Sequence, residues 1–210
     1  YRFRDGVLTL YYTVRRTEYR NETVNAPLLT MEMCAVGPNV LSIRAYHHKG
    51  GRGNKPVFER TAVQQEATVE EQENALVFRA ERMSARIQKK PFHIWYYEGI
   101  RLLTESEGKS LAYLTMPDGT HRMKEELSLA VGELIYGLGE RFTPFVKNGQ
   151  SVDLVHEDGG TASEQAYKNI PFYMSSQGYG VWMDTPAPVS LEIASEKVER
   201  VQFSVAGEEI

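Results

Sequence analysis

A single cysteine, Cys34, stands among 210 residues. That excludes an internal disulfide framework and any zinc site built from several thiolates. No apolar run approaches the ~18 residues that a membrane-spanning helix needs, so no membrane partner is expected. Basic charge is not in excess: Lys plus Arg is 24, Asp plus Glu is 28, and the formal net charge is -4. Such a surface is not built to hold a polyanion, so no nucleic-acid partner is expected. The marks of disorder are missing too. Hydrophobic residues make up 41% and charged residues 25%, as in ordinary globular proteins. There is no internal repeat, no low-complexity segment and no composition shift that marks a second domain. The chain reads as one domain, residues 1–210.

Amphipathic helical periodicity is scarce as well. The dominant period is two. Val7 to Tyr12 alternates, as does Leu29 to Cys34, and Val40 to Tyr46 follows after Gly37-Pro38-Asn39. Alternation of this kind marks strands with one buried face. Proline presets φ and Asn tolerates turn geometry, so the second and third runs read as a hairpin. Strands are expected again at Ala75–Ala80, Ser84–Gln88, Phe92–Tyr97 and Ile100–Leu103, with a turn at Pro117-Asp118-Gly119-Thr120. The last third offers Pro171–Met174, Gly180–Met183, Val189–Ile193 and Val198–Val205. Turn signals about every 8–12 residues point to an all-β sandwich or barrel. The best helical candidate is two turns over Thr161–Lys168, with Ser163 as N-cap. Three stretches read as loops: His47–Pro56, Thr104–Lys109 and Lys147–Ala162, the last with a short strand at Val152–Val155.

Several motifs fail on inspection. Gly137-Leu138-Gly139 begins a dinucleotide fingerprint, but the third glycine position holds Phe142 and no βαβ setting surrounds it. Gly108-Lys109-Ser110 ends like a phosphate-binding loop, but the first glycine position holds Leu103. The histidines His47, His48, His93, His121 and His156 form no H-E-x-x-H, and no metal site or cofactor is expected from them. The sequon Asn21-Glu22-Thr23 is short enough to recur by chance and takes no role. Asp184, after Trp182-Met183, reads as the end of a strand rather than a catalytic acid. Glu140-Arg141 reads as structural, pairing with charge where glycine permits close approach. The densest polar chemistry is His156-Glu157-Asp158-Gly159-Gly160-Thr161, which is either a set of acid–base groups or a solvated turn.

Two blocks carry a resemblance. Tyr136-Gly137-Leu138-Gly139-Glu140-Arg141-Phe142 is followed by the long run Asp158 to Met174, DGGTASEQAYKNIPFYM. Gly178-Tyr179-Gly180-Val181 and Ser195-Glu196-Lys197-Val198 continue it. Together they resemble glycoside hydrolase family 31, in particular its α-xylosidases, from Glu133 to Val205 and more weakly from Pro27 to Ser106. The resemblance implies a large antiparallel β-sandwich of the galactose-mutarotase-like type. In that family such a sandwich precedes a (β/α)₈ barrel that carries the two catalytic aspartates of a retaining α-glycosidase. A barrel takes about 250 residues, so this chain is expected to be the non-catalytic N-terminal domain, with no catalytic residue of its own.

Its implied partners are the barrel of the same polypeptide and an α-linked oligosaccharide. The resemblance implies a loop, 156–169, lent to the rim of the substrate pocket. Asp158 first, then Thr161, Glu164 and Gln165 are the candidate sugar contacts, because carboxylate and hydroxyl groups pair well with sugar hydroxyls. Relatives in that family usually carry Trp-Asn just before the acidic residue of this loop; here Val155-His156 stands there, which removes a stacking surface. The face that meets the barrel should be apolar. Cytoplasmic placement is the expectation. Two other readings remain at this stage. One is a self-sufficient carbohydrate-binding module using the 12 Tyr and 2 Trp. The other is an aldose mutarotase, which rests on fold similarity alone.

Overall fold

Strand follows strand, with each strand's partner most often its neighbour in sequence. The computed structural model describes residues 1–13, 18–19, 21–22, 26–49, 64–157 and 164–210. Arg2–Arg4 (β1), Val7–Thr13 (β2), Leu28–Gly37 (β3) and Val40–Tyr46 (β4) form one antiparallel sheet in chain order. The expected hairpin is there: β3 and β4 pair down to Gly37 and Val40, with Pro38 and Asn39 as the turn. Thr68–Glu71 (β5), Ala75–Arg79 (β6), Met83–Gln88 (β7), His93–Glu98 (β8) and Arg101–Ser106 (β9) make a five-stranded meander.

The rest of the chain supplies Ala112–Thr115 (β10), His121–Ser128 (β11), Ile135–Gly137 (β12) and Gln150–Leu154 (β13). Phe172–Ser175 (β14), Gly180–Trp182 (β15), Val189–Ile193 (β16) and Arg200–Ala206 (β17) complete it. They sort into a five-stranded sheet, β10-β11-β17-β16-β13, and a three-stranded one, β12-β14-β15. All strand pairs are antiparallel, as expected.

Period two does the folding work. In β17, Val201, Phe203 and Val205 are buried while Gln202 and Ser204 are only partly so. In β16, Val189, Leu191 and Ile193 do the same. One contiguous apolar cluster draws Leu8 and Met33 from the first sheet and Phe78 and Ile94 from the second. Leu191 and Val201 join it from the third sheet, and Ile135 and Tyr173 from the fourth. Each fully buried Leu or Ile contributes roughly 1.5–3 kcal/mol by leaving water. The sheets are also stitched by polar bonds. Thr104 Oγ1 donates to the Ser128 carbonyl at 2.8 Å, and Ser128 Oγ donates to the Glu105 carbonyl at 3.1 Å, tying β9 to β11. Ala45 and Ile210 exchange backbone bonds at 2.8 Å each, so residues 208–210 lie along β4.

Two local expectations change. Residues 104–106 are strand, not loop, because Thr104 and Ser106 turn inward and pair with β8 across a register shift at Tyr96–Tyr97. The helix expected over Thr161–Lys168 does not form at 164–168, where the backbone instead makes a β-bridge between Ala166 and His156; residues 161–163 lie outside the described ones. No α-helix occurs among the described residues. The short strand expected at Val152–Val155 is Gln150–Leu154.

Candidate functional site

The glycine-rich turn at 137–139 sets the geometry of the matched loop. Gly137, Leu138 and Gly139 all have positive φ, at 110°, 69° and 89°. A Cβ on Gly139 would lie 2.1 Å from the Lys168 carbonyl oxygen, and one on Gly137 would lie 2.7 Å from that of Phe172. Glycine therefore permits both the turn and the close approach. The backbone closes the contact: Leu138 N–H donates to Phe172 at 2.9 Å and Glu140 N–H to Lys168 at 3.1 Å.

Arg141 then ties the loop down. It donates to the carbonyls of Asp153 at 2.7 Å and Glu164 at 3.2 Å, and to the side-chain oxygen of Asn169. Burial lowers the pKa of this guanidinium, against the pull of Asp153 and Glu164; it remains a cation. Asn169 in turn donates to the carbonyls of Val155 at 2.8 Å and Ala166 at 2.6 Å. His156 bridges Ala166, and its Nδ1 donates to the Tyr167 carbonyl at 2.9 Å, which fixes the proton on that nitrogen. Glu140 pairs with Lys168 at 2.7 Å, both largely exposed. Glu140 and Arg141 are thus structural, as their sequence setting suggests.

Of the candidate sugar contacts, Asp158 and Thr161 lie outside the described residues. Glu164 and Gln165 are adjacent and exposed on the loop that Arg141 anchors. Gln165 Nε2 donates to Glu157 Oε2 at 2.6 Å. Beside them runs a mainly apolar groove between Leu154, Asn169, Ile170, Pro171, Trp182 and Pro186. Trp182 is half-exposed and lies 6.2 Å, centroid to centroid, from Phe172.

The three-stranded sheet is apolar on both faces. Ile135 and Tyr173 face the core. On the opposite face the register aligns Tyr136 with Met174 and Phe172 with Trp182. Met174 is 51% exposed, Trp182 50%, and the nearby Phe142 and Phe145 are 67% and 78%. A sheet with two apolar faces is built to be covered on both.

Beneath this sheet lies a buried carboxylate that was not singled out from the sequence. Glu133 accepts from the Ala130 amide at 2.7 Å, from the Tyr179 hydroxyl at 2.7 Å and from the Ser175 hydroxyl. A carboxylate with three donors can stay buried. Tyr179 is pushed well above the usual phenol range, first by burial and then by its bond to Glu133. Far from the loop, His93 comes together with Glu105 and Glu107, a grouping that linear spacing did not reveal.

The comparisons with known proteins fix the family. Residues 30–192 match the model described as the glycosyl hydrolase 31 N-terminal galactose mutarotase-like domain. The chain belongs to that family. It is 38% identical to the α-xylosidase XylQ of Lactiplantibacillus pentosus over 205 residues, which is 97% of this chain and 27% of that protein. It is 39% identical to an α-xylosidase of Emericella nidulans over 215 aligned positions, 91% of this chain and again 27% of the relative. The chain therefore spans about a quarter of these curated relatives. Among solved structures, the cycloalternan-forming enzyme of Listeria monocytogenes, in complex with a pentasaccharide substrate, superposes with a TM-score of 0.78. The identity is 20%, over 98% of this chain and 19% of that one, so the likeness concerns the fold.

Proposed function

We propose that this family 31 domain, residues 1–210, acts as the non-catalytic N-terminal unit of a retaining α-glycosidase of the α-xylosidase kind. It covers one side of the catalytic barrel and lends loop 156–169 to the rim of the substrate pocket. The observation that carries this reading is the β12-β14-β15 sheet, whose outer face presents Tyr136, Phe172, Met174 and Trp182. Alignment with about a quarter of each α-xylosidase relative supports it, since the remainder of those proteins is where a barrel fits. The Arg141 anchor supports the loop's part, because a rim contact must be held in place to bind a sugar without a large entropic cost. Glu164 and Gln165, with Asp158 and Thr161 on the same segment, are the proposed sugar contacts.

The test compares the polypeptide carrying this domain and its barrel with the 210-residue chain, on nitrophenyl α-xyloside and α-glucoside. The longer polypeptide is expected to release nitrophenol and the chain alone to release none; robust turnover by the chain alone overturns the reading. In the longer polypeptide, Glu164→Ala or Gln165→Ala should raise KM roughly threefold to tenfold while kcat changes little, about 1 kcal/mol per lost hydrogen bond. The half-exposed Trp182 beside its groove favours one second reading, an independent carbohydrate module. Calorimetric titration of the chain alone with xyloglucan oligosaccharides or maltose distinguishes it: saturable binding tighter than about millimolar supports the module.

A further inference from the structure

His93 on β8 and Glu105 on β9 meet at the edge of the five-stranded meander. The register pairs Ile94 with Ser106 and Trp95 with Glu105, which sets His93 across from Glu107. Alternation along both strands puts His93, Glu105 and Glu107 on one face. His93 Nε2 lies 2.8 Å from Glu105 Oε2, and one ligand atom from each of the three residues falls within 4.8 Å of the others. All three side chains are partly buried.

The imidazole does not swing freely. It lies flat on Trp95, with centroids 3.7 Å apart and planes 10° from parallel, and the Arg86 guanidinium stands 5.1 Å from the same indole. Glu107 is held too, with its Oε2 2.5 Å from the Arg200 guanidinium. Arg200 also donates to Ser128 Oγ, so it is anchored on its own side. A carboxylate has two oxygens, so Glu107 can keep Arg200 on one and offer the other.

We infer that His93, Glu105 and Glu107 form a binding site for a divalent transition cation of the Zn²⁺ type. One imidazole nitrogen and two carboxylate oxygens suit such an ion, whereas Mg²⁺ and Ca²⁺ prefer oxygen alone. Tetrahedral ligands at Zn–N and Zn–O distances of about 2.0–2.2 Å stand roughly 3.3–3.5 Å apart. Here His93 Nε2 and Glu105 Oε2 stand 2.8 Å apart, and the three ligand atoms all lie within 4.8 Å of one another, a cluster of the size such an ion needs. Side-chain adjustment of His93, Glu105 and Glu107 would close the set around the ion, with water in the fourth position. The ion would fasten the end of β9 to the start of β8. It would also replace the His93–Glu105 bond with two stronger ones, and so act as a structural clip on the meander.

The test is a titration of the purified protein with Zn²⁺ by calorimetry and with Co²⁺ by visible ligand-field absorption. One equivalent is expected to bind and to raise Tm. His93→Ala and Glu105→Gln should each weaken binding about tenfold or more. Arg200→Gln should strengthen it by releasing Glu107, and His121→Ala should leave it unchanged. Failure to saturate at millimolar metal overturns the site. So does binding that survives His93→Ala, which would mean that other histidines hold the ion. Circular dichroism checks each variant's fold, and Glu107→Gln serves if His93→Ala does not fold.

Discussion

Gly139 and Lys168 approach so closely that a single methyl group on Gly139 would sit 2.1 Å from the Lys168 carbonyl oxygen. The obstruction is backbone, and φ is +89°, so neither neighbour nor rotamer can yield. Gly139→Ala is expected to destabilise the domain by about 2–4 kcal/mol, combining left-handed strain with overpacking. Gly108→Ala, where φ is ordinary and the nearest atom lies at 3.8 Å, should cost less than about 1 kcal/mol. Urea midpoints of the two variants check the contrast. Equal losses would refute the close-approach account.

Glu125 faces the interior beside Met123 and Leu127 on β11. It is pushed up to about 7, first by burial, against the Ser106 hydroxyl at 2.6 Å and the Glu126 amide at 3.1 Å. The groups around it are Ser106 and the hydroxyls of Tyr12, Tyr96 and Tyr173; Lys124 and Glu126 project to the opposite face of their strand. The folded value lies above the ordinary carboxyl value, so the fold prefers the protonated acid. The stability that Glu125 contributes is fully present below about pH 4.5 and is lost as pH rises through about 7. The drop is on the order of 3 kcal/mol. Glu125→Gln should flatten that slope, as chemical denaturation between those pH values would read out.

Two tyrosines of the same region should respond in opposite ways. The Tyr173 hydroxyl is buried with no hydrogen-bond partner among the described residues, whereas Tyr179 donates to Glu133 at 2.7 Å. Tyr173→Phe is expected to be neutral or to stabilise by up to about 1 kcal/mol, and Tyr179→Phe to cost about 1–3 kcal/mol. Thermal unfolding of both variants provides the comparison.

Arg141 holds three partners across the loop. Arg141→Ala should therefore speed amide exchange at Glu157, whose N–H donates to Ala166, far more than at Val201 in the core. Uniform acceleration across the chain would show that Arg141 supports the whole fold instead.

The sandwich was legible wherever one face of a strand is apolar and the other polar, as in β3, β16 and β17. It was illegible in β11, whose sequence His121-Arg-Met-Lys-Glu-Glu-Leu-Ser128 reads as surface. There, Glu126 is buried between Lys124 at 2.5 Å and Lys197 at 3.1 Å, and the two ammoniums outweigh burial and lower its pKa. The second lysine comes from 71 residues away, beyond any local pattern. The loop anchor was half legible: Glu140-Arg141 after glycine reads as structural, but Asp153, Glu164 and Asn169 are gathered only by folding. His93 and its two glutamates were missed for the same reason, since cross-strand register brings them together rather than helical or chelating spacing.

The chain's only two tryptophans lie in different settings. Trp95 is sandwiched within the meander against His93, and Trp182 stands half-exposed on the outer sheet. The molecule thus carries its own pair of optical reporters. Emission from Trp182 is expected to shift blue when that sheet is covered, while emission from Trp95 is expected to respond to a cation bound at the imidazole stacked on it. One fluorescence spectrum can follow the covering of the outer sheet and the occupancy of the His93 site together, without any label.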